Sequence, residues 1–246
     1  MNPEEVKHFM RFNRWNRSNA VAYDAYRRLS RREGWKRLLA RSLKGIPAGA
    51  AILEVGSGTG FITAILAELG FSVQGIDLSE EMLAVATANL QKDGWAAKVN
   101  LSLGDAESLN FDDHCFDAVV SRWVLWTLPR PQVAICEMAR VLKPGGSVVL
   151  IDGSRLTPGA FGRIRANLLN WILTGRPPGW RGPDYAKVQD ALPHFTPDQT
   201  AASMQANGLD VRVVEQDLES KTDGKLYFWL MGGTWSSYFV KGVKPA

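Results

Sequence analysis

Between residues 50 and 152 the chain alternates short apolar runs with segments of helical periodicity. The runs read "AILEVG", "SVQGID", "VNLSLG", "FDAVVS" and "SVVLID". Near-continuous apolar runs of this length are expected of strands covered on both faces. Between the first two, Ile62, Ile65, Leu66 and Leu69 recur at helical spacing, and Gly70 supplies a stop. Between the second and third, Ser79 can cap a helix, and Glu80 and Glu81 suit the positive end of its dipole. Before the fifth run, "PQVAICEMARVLKPGG" predicts a helix closed by Lys143, Pro144 and Gly145. Strands alternating with helices imply right-handed crossovers. The predicted fold class is α/β, a doubly wound, mostly parallel sheet.

After Gly153 the pattern changes. Residues 154 to 195 are rich in Arg, Pro, Gly and Trp, with one predicted helix near "FGRIRANLLNWIL", and read as a variable lid. "FTPDQTAASMQANGLDVRVVEQDL" predicts a helix capped by Thr196, with Pro197 at its first position, followed by a strand. The stretch "WSSYFVKGVKP" predicts a last strand, read as an antiparallel edge. At 246 residues the whole is expected to be one domain. It divides into a helical cap (1–45), a core (46–153), the lid (154–195) and a C-terminal helix with strands (196–246).

Composition narrows the class without naming a chemistry. Hydrophobic content of 46% and charged content of 22% are ordinary for a soluble chain. No run approaches a transmembrane span, and "MNPEEVKHFM" lacks the apolar centre of a secretory signal, so a cytoplasmic protein is expected. The two cysteines, Cys115 and Cys136, form neither a disulfide framework nor a ligand cluster, and three scattered histidines (8, 114 and 194) predict no metal site. Charge is uneven: residues 1–45 hold 12 Lys/Arg and 4 Asp/Glu, so the net +4 is an N-terminal property.

The chemistry lies in "AILEVGSGTGFITAILAELGFSVQGIDL". Gly56, Gly58 and Gly60 permit a tight turn and close approach of a ligand. Asp77 ends the next strand 21 residues after Gly56, where a carboxylate can take both hydroxyls of a ribose. The dinucleotide fingerprint spaces its glycines G-x-G-x-x-G. Here the spacing is G-x-G-x-G, and Glu54 precedes it. That carboxylate would repel a pyrophosphate and attract an ammonium or sulfonium. The loop therefore favours S-adenosyl-L-methionine over NAD.

At these residues the chain resembles the class I S-adenosylmethionine-dependent methyltransferases, and is most similar to the ubiquinone/menaquinone C-methyltransferase branch. "LEVGSGTG", "IDLSEEML", "GDAESLNFDDHCFDAVVS" and "RVLKPGG" carry the resemblance over residues 46–152, and residues 10–45 and 190–246 carry it more loosely. It implies a seven-stranded Rossmann-like sheet. By position, Glu54, Gly56, Ser57, Gly58 and Gly60 would hold the methionine part, and Asp77 the ribose. Leu78 and Met82 would flank the adenine, and Asp105 beside Ala106 would take its amino group. Ser121 and Arg122 would lie near the transferring methyl, and Tyr23 of "WNRSNAVAYD" would close over the cofactor. S-adenosyl-L-homocysteine would be the product.

The acceptor side is less legible. Methyl transfer from a sulfonium needs orientation in a water-poor pocket, and a base only where the acceptor must lose a proton. His194 in "LPHFTP" is a candidate base, against the plainer reading of a surface residue, while His114 reads as solvated. Asp152 ends the fifth strand at the ligand-binding edge. Trp123 and Trp126 are candidates for an aromatic wall or for core packing, and Trp171, Trp180 and Tyr185 fall in the lid. In "MRFNRWNRS", Arg11, Arg14 and Arg17 interleave with Phe12 and Trp15, a pattern that can bind nucleic acid or pack its aromatics inward. The turn "SRWV" lacks the Asn/Asp-Pro-Pro-aromatic form of nucleobase amine methylation. The expected partner is thus a small-molecule acceptor. RNA methylation, an NAD-dependent oxidoreductase and a non-catalytic binder are the alternatives.

Overall fold

A seven-stranded sheet in the order β3-β2-β1-β4-β5-β7-β6 organises the protein. The computed structural model describes residues 1–27, 30–155, 160–174, 184–216, 218, 221–223 and 235–246. Strands β1 (Ala51–Val55), β2 (Ser72–Asp77), β3 (Val99–Leu103), β4 (Phe116–Arg122) and β5 (Leu142–Arg155) run parallel. Helices α4 (Phe61–Glu68), α5 (Glu80–Lys92) and α6 (Pro131–Val141) cross between them. Strands β6 (Asp210–Glu215) and β7 (Trp235–Val243) pair antiparallel.

Alternate residues of each central strand feed two separate cores. Leu53, Val55, Val119, Val148, Leu150, Tyr238 and Val240 face one side, with Met138 of α6. Ile52, Ala118, Val120, Val149, Ile151 and Phe239 face the other, with Ile62, Ile65 and Leu66 of α4. Coverage on both faces is why the strand sequences are apolar at consecutive positions.

Two sequence expectations shift. The last strand is antiparallel, but β7 lies between β5 and β6 and β6 takes the edge. The reason is burial: Tyr238, Phe239 and Val240 are almost wholly enclosed, whereas β6 alternates exposed and half-buried positions as an edge tolerates. The helix before β5 also stops earlier than "KPGG", at Val141. Leu142 is already extended and pairs with Phe116, so the Lys-Pro-Gly-Gly stretch forms the irregular start of β5.

Chain segments on either side of the sheet close the cofactor edge. α1 (Pro3–Phe9) is capped by Asn2 in a reciprocal bond with Glu5 and runs into a π-helical turn, Met10–Arg14, before α2 (Arg17–Arg27). Val6 and Met10 pack on Val188 and Leu192, at and just beyond α8 (Tyr185–Ala191). α3 (Arg32–Ser42) lies on α4, with Trp35, Leu38 and Leu39 in the second core. α7 (Ala160–Thr174) packs on α2, and α9 (Pro197–Ala206) has the Thr196–Gln199 capping box that its sequence predicts.

α3 meets the turn at 221–223 with no room to spare. A Cβ on Gly34 would stand 2.2 Å from the Thr222 carbonyl oxygen. Gly34→Ala is expected to lower stability by about 1–3 kcal/mol, as overpacking does. A urea midpoint at unchanged slope measures it, and an unmoved midpoint would mean that the two segments part at no cost.

Candidate cofactor site

The sheet order reverses at β1, whose neighbours are β2 and β4. Such a switch point opens a crevice at the carboxyl edge. The loop leaving β1 enters it with Gly56 at φ 77° and Gly58 at φ 54°, both in the left-handed region. At Gly56 a Cβ would sit 2.1 Å from Val124 Cγ2, so packing alone requires glycine there. At Gly58 the nearest atom to a Cβ is Tyr23 Cε1 at 4.0 Å, so its open side faces the cleft.

Strand β2 holds this loop. The Gly56 and Ser57 amides donate to the Ile76 carbonyl at 2.8 and 2.9 Å. The Gly58 amide donates to Asp77 Oδ2 at 2.9 Å, and the Ser79 amide to Asp77 Oδ1 at 2.9 Å. Burial raises the Asp77 carboxyl above its usual range, and these backbone bonds pull it back.

The loop, Tyr23 and Arg122 line a small cleft of about 20 Å³, together with Glu54, Phe61 and Ile62. Ser57 Oγ, Thr59 Oγ1 and Arg122 Nε are buried around it without a hydrogen-bond partner among the described residues. Buried polar atoms are rarely left so. Glu54 accepts a short hydrogen bond from the Thr63 hydroxyl, and burial pushes its carboxyl up to about 8. Arg122 lies 3.8 Å from the ring centre of Trp123, 4.2 Å from Trp35 and 5.4 Å from Phe61. Its guanidinium is always charged, so the cleft carries a fixed cation opposite a titratable acid. Trp35 is itself held by its indole N–H donating to Asp223 Oδ1 at 2.8 Å. Trp123 has φ 59°, a costly backbone state for a bulky residue, fixed by its amide donating to the Ile151 carbonyl at 2.7 Å.

The other sequence candidates divide. Ser121 faces inward, its hydroxyl donating to the Val55 carbonyl at 3.0 Å. Leu78 is half-buried and Met82 buried at the start of α5. Asp105 accepts from Lys7 Nζ at 2.6 Å and from the Glu107 amide at 2.9 Å, with Ala106 buried beside it. Asp152 is buried, and both its oxygens are engaged, by the Leu125 amide at 2.6 Å and the Gly153 amide at 2.7 Å. Burial pushes that carboxyl up to about 7. His194 is exposed in the turn before α9 and does not border the cleft, and His114 is exposed too, its Nδ1 3.0 Å from the Leu142 carbonyl. Trp171 is exposed on α7, and Trp180 lies outside the described residues.

The basic N-terminal segment is turned largely inward. Arg11 pairs with Glu80 at 2.9 Å, and Arg14 stacks on Trp15 at 4.2 Å and Tyr185 at 5.9 Å. Trp15 meets Tyr23 and Trp126 edge-on, and its carbonyl accepts from Ser79 Oγ at 2.6 Å. Only Phe12 and Arg17 of the interleaved set point out. Thr59 and Phe61 were recoverable as positions of the loop itself. Trp35 and Lys7 were not, since nothing local marks a residue that reaches a site from a distant part of the chain.

The family profile described as "Methyltransferase domain" matches residues 53–150. A phosphatidylethanolamine N-methyltransferase of Cereibacter sphaeroides is 38% identical over 42% of this chain and 51% of its own length. A demethylmenaquinone methyltransferase of Desulfitobacterium hafniense is 30% identical over 70% of both chains. The chain belongs to the class I S-adenosylmethionine-dependent methyltransferases. It spans about half the length of the first of these relatives. The fold agrees: a Haemonchus contortus phosphoethanolamine N-methyltransferase, solved with phosphomonomethylethanolamine and S-adenosylhomocysteine, superposes with a TM-score of 0.71. That match has 20% identity and covers 98% of this chain and 60% of the other.

The residues present fit the cofactor of this methyltransferase class. S-adenosylmethionine ends in a zwitterion, and the cleft sets a carboxyl and a guanidinium among unpartnered hydroxyls.

Glu54 also sets a pH dependence. Its carboxyl is shifted from 4.5 to about 8, so over that range the folded protein holds a proton that the unfolded chain has lost. Stability therefore falls as pH rises through that window, and Asp152, shifted from 3.8 to about 7, adds a fall of the same sign. The unfolding midpoint of the cofactor-free protein is expected to drop between about pH 4.5 and about pH 8, and less steeply in Glu54→Gln. Equal slopes in the two proteins would contradict the assignment.

Proposed function

We propose that this protein transfers a methyl group from S-adenosylmethionine to a small-molecule acceptor. The presence of the Glu54 carboxyl and the Arg122 guanidinium in one glycine-lined cleft at the switch point carries the proposal. When bound, the cofactor supplies a sulfonium-activated methyl group. In this reading Glu54 receives the ammonium of the methionine part and gives up its proton, while Arg122 receives the carboxylate. Arg122 thus serves the cofactor rather than the acceptor. The hydroxyls of Ser57 and Thr59 find their missing partners there, and Gly58 lets the ligand approach the backbone.

Asp77 accepts from the backbone amides of Gly58, Leu78 and Ser79, and in this reading its free lone pairs take the ribose hydroxyls. Leu78 and Met82 flank the adenine, and Asp105 takes its amino group beside Ala106. Tyr23 covers Gly58. On the acceptor side, Trp123 is the wall nearest Arg122. His194 stands away from the cleft, and Asp152 accepts from the amides of Val124, Leu125 and Trp126 in the turn after β4 and from Gly153, so neither offers a base. Transfer then depends on orientation and exclusion of water.

The substrates in the names of the relatives, phosphatidylethanolamine and demethylmenaquinone, support a small organic or lipid acceptor. With Arg11 and Arg14 engaged within the protein, a nucleic-acid acceptor is the weaker reading.

The direct test is methyl incorporation from labelled S-adenosylmethionine into a panel of quinol, amine and phospholipid acceptors. Transfer to one class supports the proposal, while tight S-adenosylhomocysteine binding with no transfer to any favours a binder without turnover. In calorimetry, Asp77→Ala is expected to weaken S-adenosylhomocysteine by roughly 1.5–3 kcal/mol, the worth of hydrogen bonds to a charged acceptor. Unchanged affinity would remove Asp77 from the site.

A further inference from the structure

One face of α7 has no protein against it among the described residues. Phe161, Ile164, Leu168, Trp171 and Ile172 are 81%, 62%, 49%, 53% and 69% exposed. At about 100° per residue, these positions fall within one arc of roughly 100°, a continuous apolar stripe about 17 Å long. Single exposed apolar side chains are ordinary, but five aligned on one helix mark a contact surface.

Charge says what the contact is. From Gly153 to Pro183 the sequence carries five arginines (155, 163, 165, 176 and 181) and no aspartate or glutamate. An apolar stripe with a tryptophan, set in a wholly basic stretch, is the pattern of a helix lying in the headgroup region of an anionic bilayer. A second copy fits poorly. The stripe is one helix wide, about 17 by 10 Å, far below the roughly 800 Å² per partner of a stable interface. Two such copies would also bring like charges together.

We propose that α7 is an interfacial helix that docks the protein on anionic lipid through Phe161, Ile164, Leu168, Trp171 and Ile172. Its position gives docking a use. α7 packs on α2, and α2 carries Tyr23 at the cofactor cleft. α2 thus joins the docking helix to the cofactor cleft. The docking itself does not depend on the methyl-transfer reading.

The experiment is co-flotation of the full chain with vesicles of phosphatidylcholine alone or mixed with phosphatidylglycerol. The protein is expected to float with the anionic vesicles, less so at high salt, and to stay behind with phosphatidylcholine alone. Phe161→Glu/Ile172→Glu is expected to lower the partition at least about tenfold while keeping the unfolding midpoint. The milder Ile164→Ser/Leu168→Ser serves if the first variant misfolds. Failure to float overturns the proposal, as does flotation that both variants leave unchanged. So does a wild-type dimer, by light scattering, that the substitutions make monomeric. Flotation without S-adenosylhomocysteine binding would leave docking intact and overturn the cofactor reading alone.

Discussion

The Asp77 carboxylate accepts from the Gly58 amide on one side and the Ser79 amide on the other. Through these two bonds the end of β2 fixes both the glycine loop after β1 and the first turn of α5. Ser79 in turn caps α5 through Met82 and reaches Trp15 of the N-terminal segment, so one side chain ties together three pieces of the cofactor edge. A carboxylate is the group that can do this, because it accepts several hydrogen bonds at once and retains capacity for a ligand. The loop is therefore preorganised in the free protein, which lowers the cost of ordering it around a ligand.

Around that centre the site is assembled from parts distant in sequence. Lys7 bridges Asp105 and Glu107, and Arg130 pairs with the same Glu107, so α1 is clamped onto the turn expected at the adenine. Glu107 is fully enclosed between these two cations, as a buried charge requires. On the opposite side, Trp35 and Trp123 meet edge to face, and the Arg122 guanidinium carbon stands 4.2 and 3.8 Å from their ring centres. Aromatic faces hold this cation without neutralising it.

The parallel core was legible because burial on both faces makes each strand a solid apolar run, and the glycine loop because its spacing is local. The caps at Ser79 and Thr196 were legible for the same reason. The place of β7 was not: "WSSYFVKGVKP" looks alike on an edge or inside a sheet, and only the buried Tyr238, Phe239 and Val240 separate the two. Asp152 shows a different limit. Its position at the end of β5 is that of a ligand-binding residue, but the amides of Val124, Leu125, Trp126 and Gly153 already donate to it, and sequence does not show which lone pairs are spent. Trp35, 87 positions before Arg122 in the chain, reaches the site only through the packing of α3 on α4.

The central claim is that one cleft recognises a zwitterion with Glu54 and Arg122 and a ribose with Asp77. A crystal structure of the protein with S-adenosylhomocysteine tests it most directly. The account predicts the ligand's carboxylate at the Arg122 guanidinium, its ammonium toward Glu54 and both ribose hydroxyls on Asp77, with the Gly58 amide still bonded to that carboxylate. A ligand whose amino-acid end lies away from Arg122, or whose ribose leaves Asp77 untouched, would contradict it.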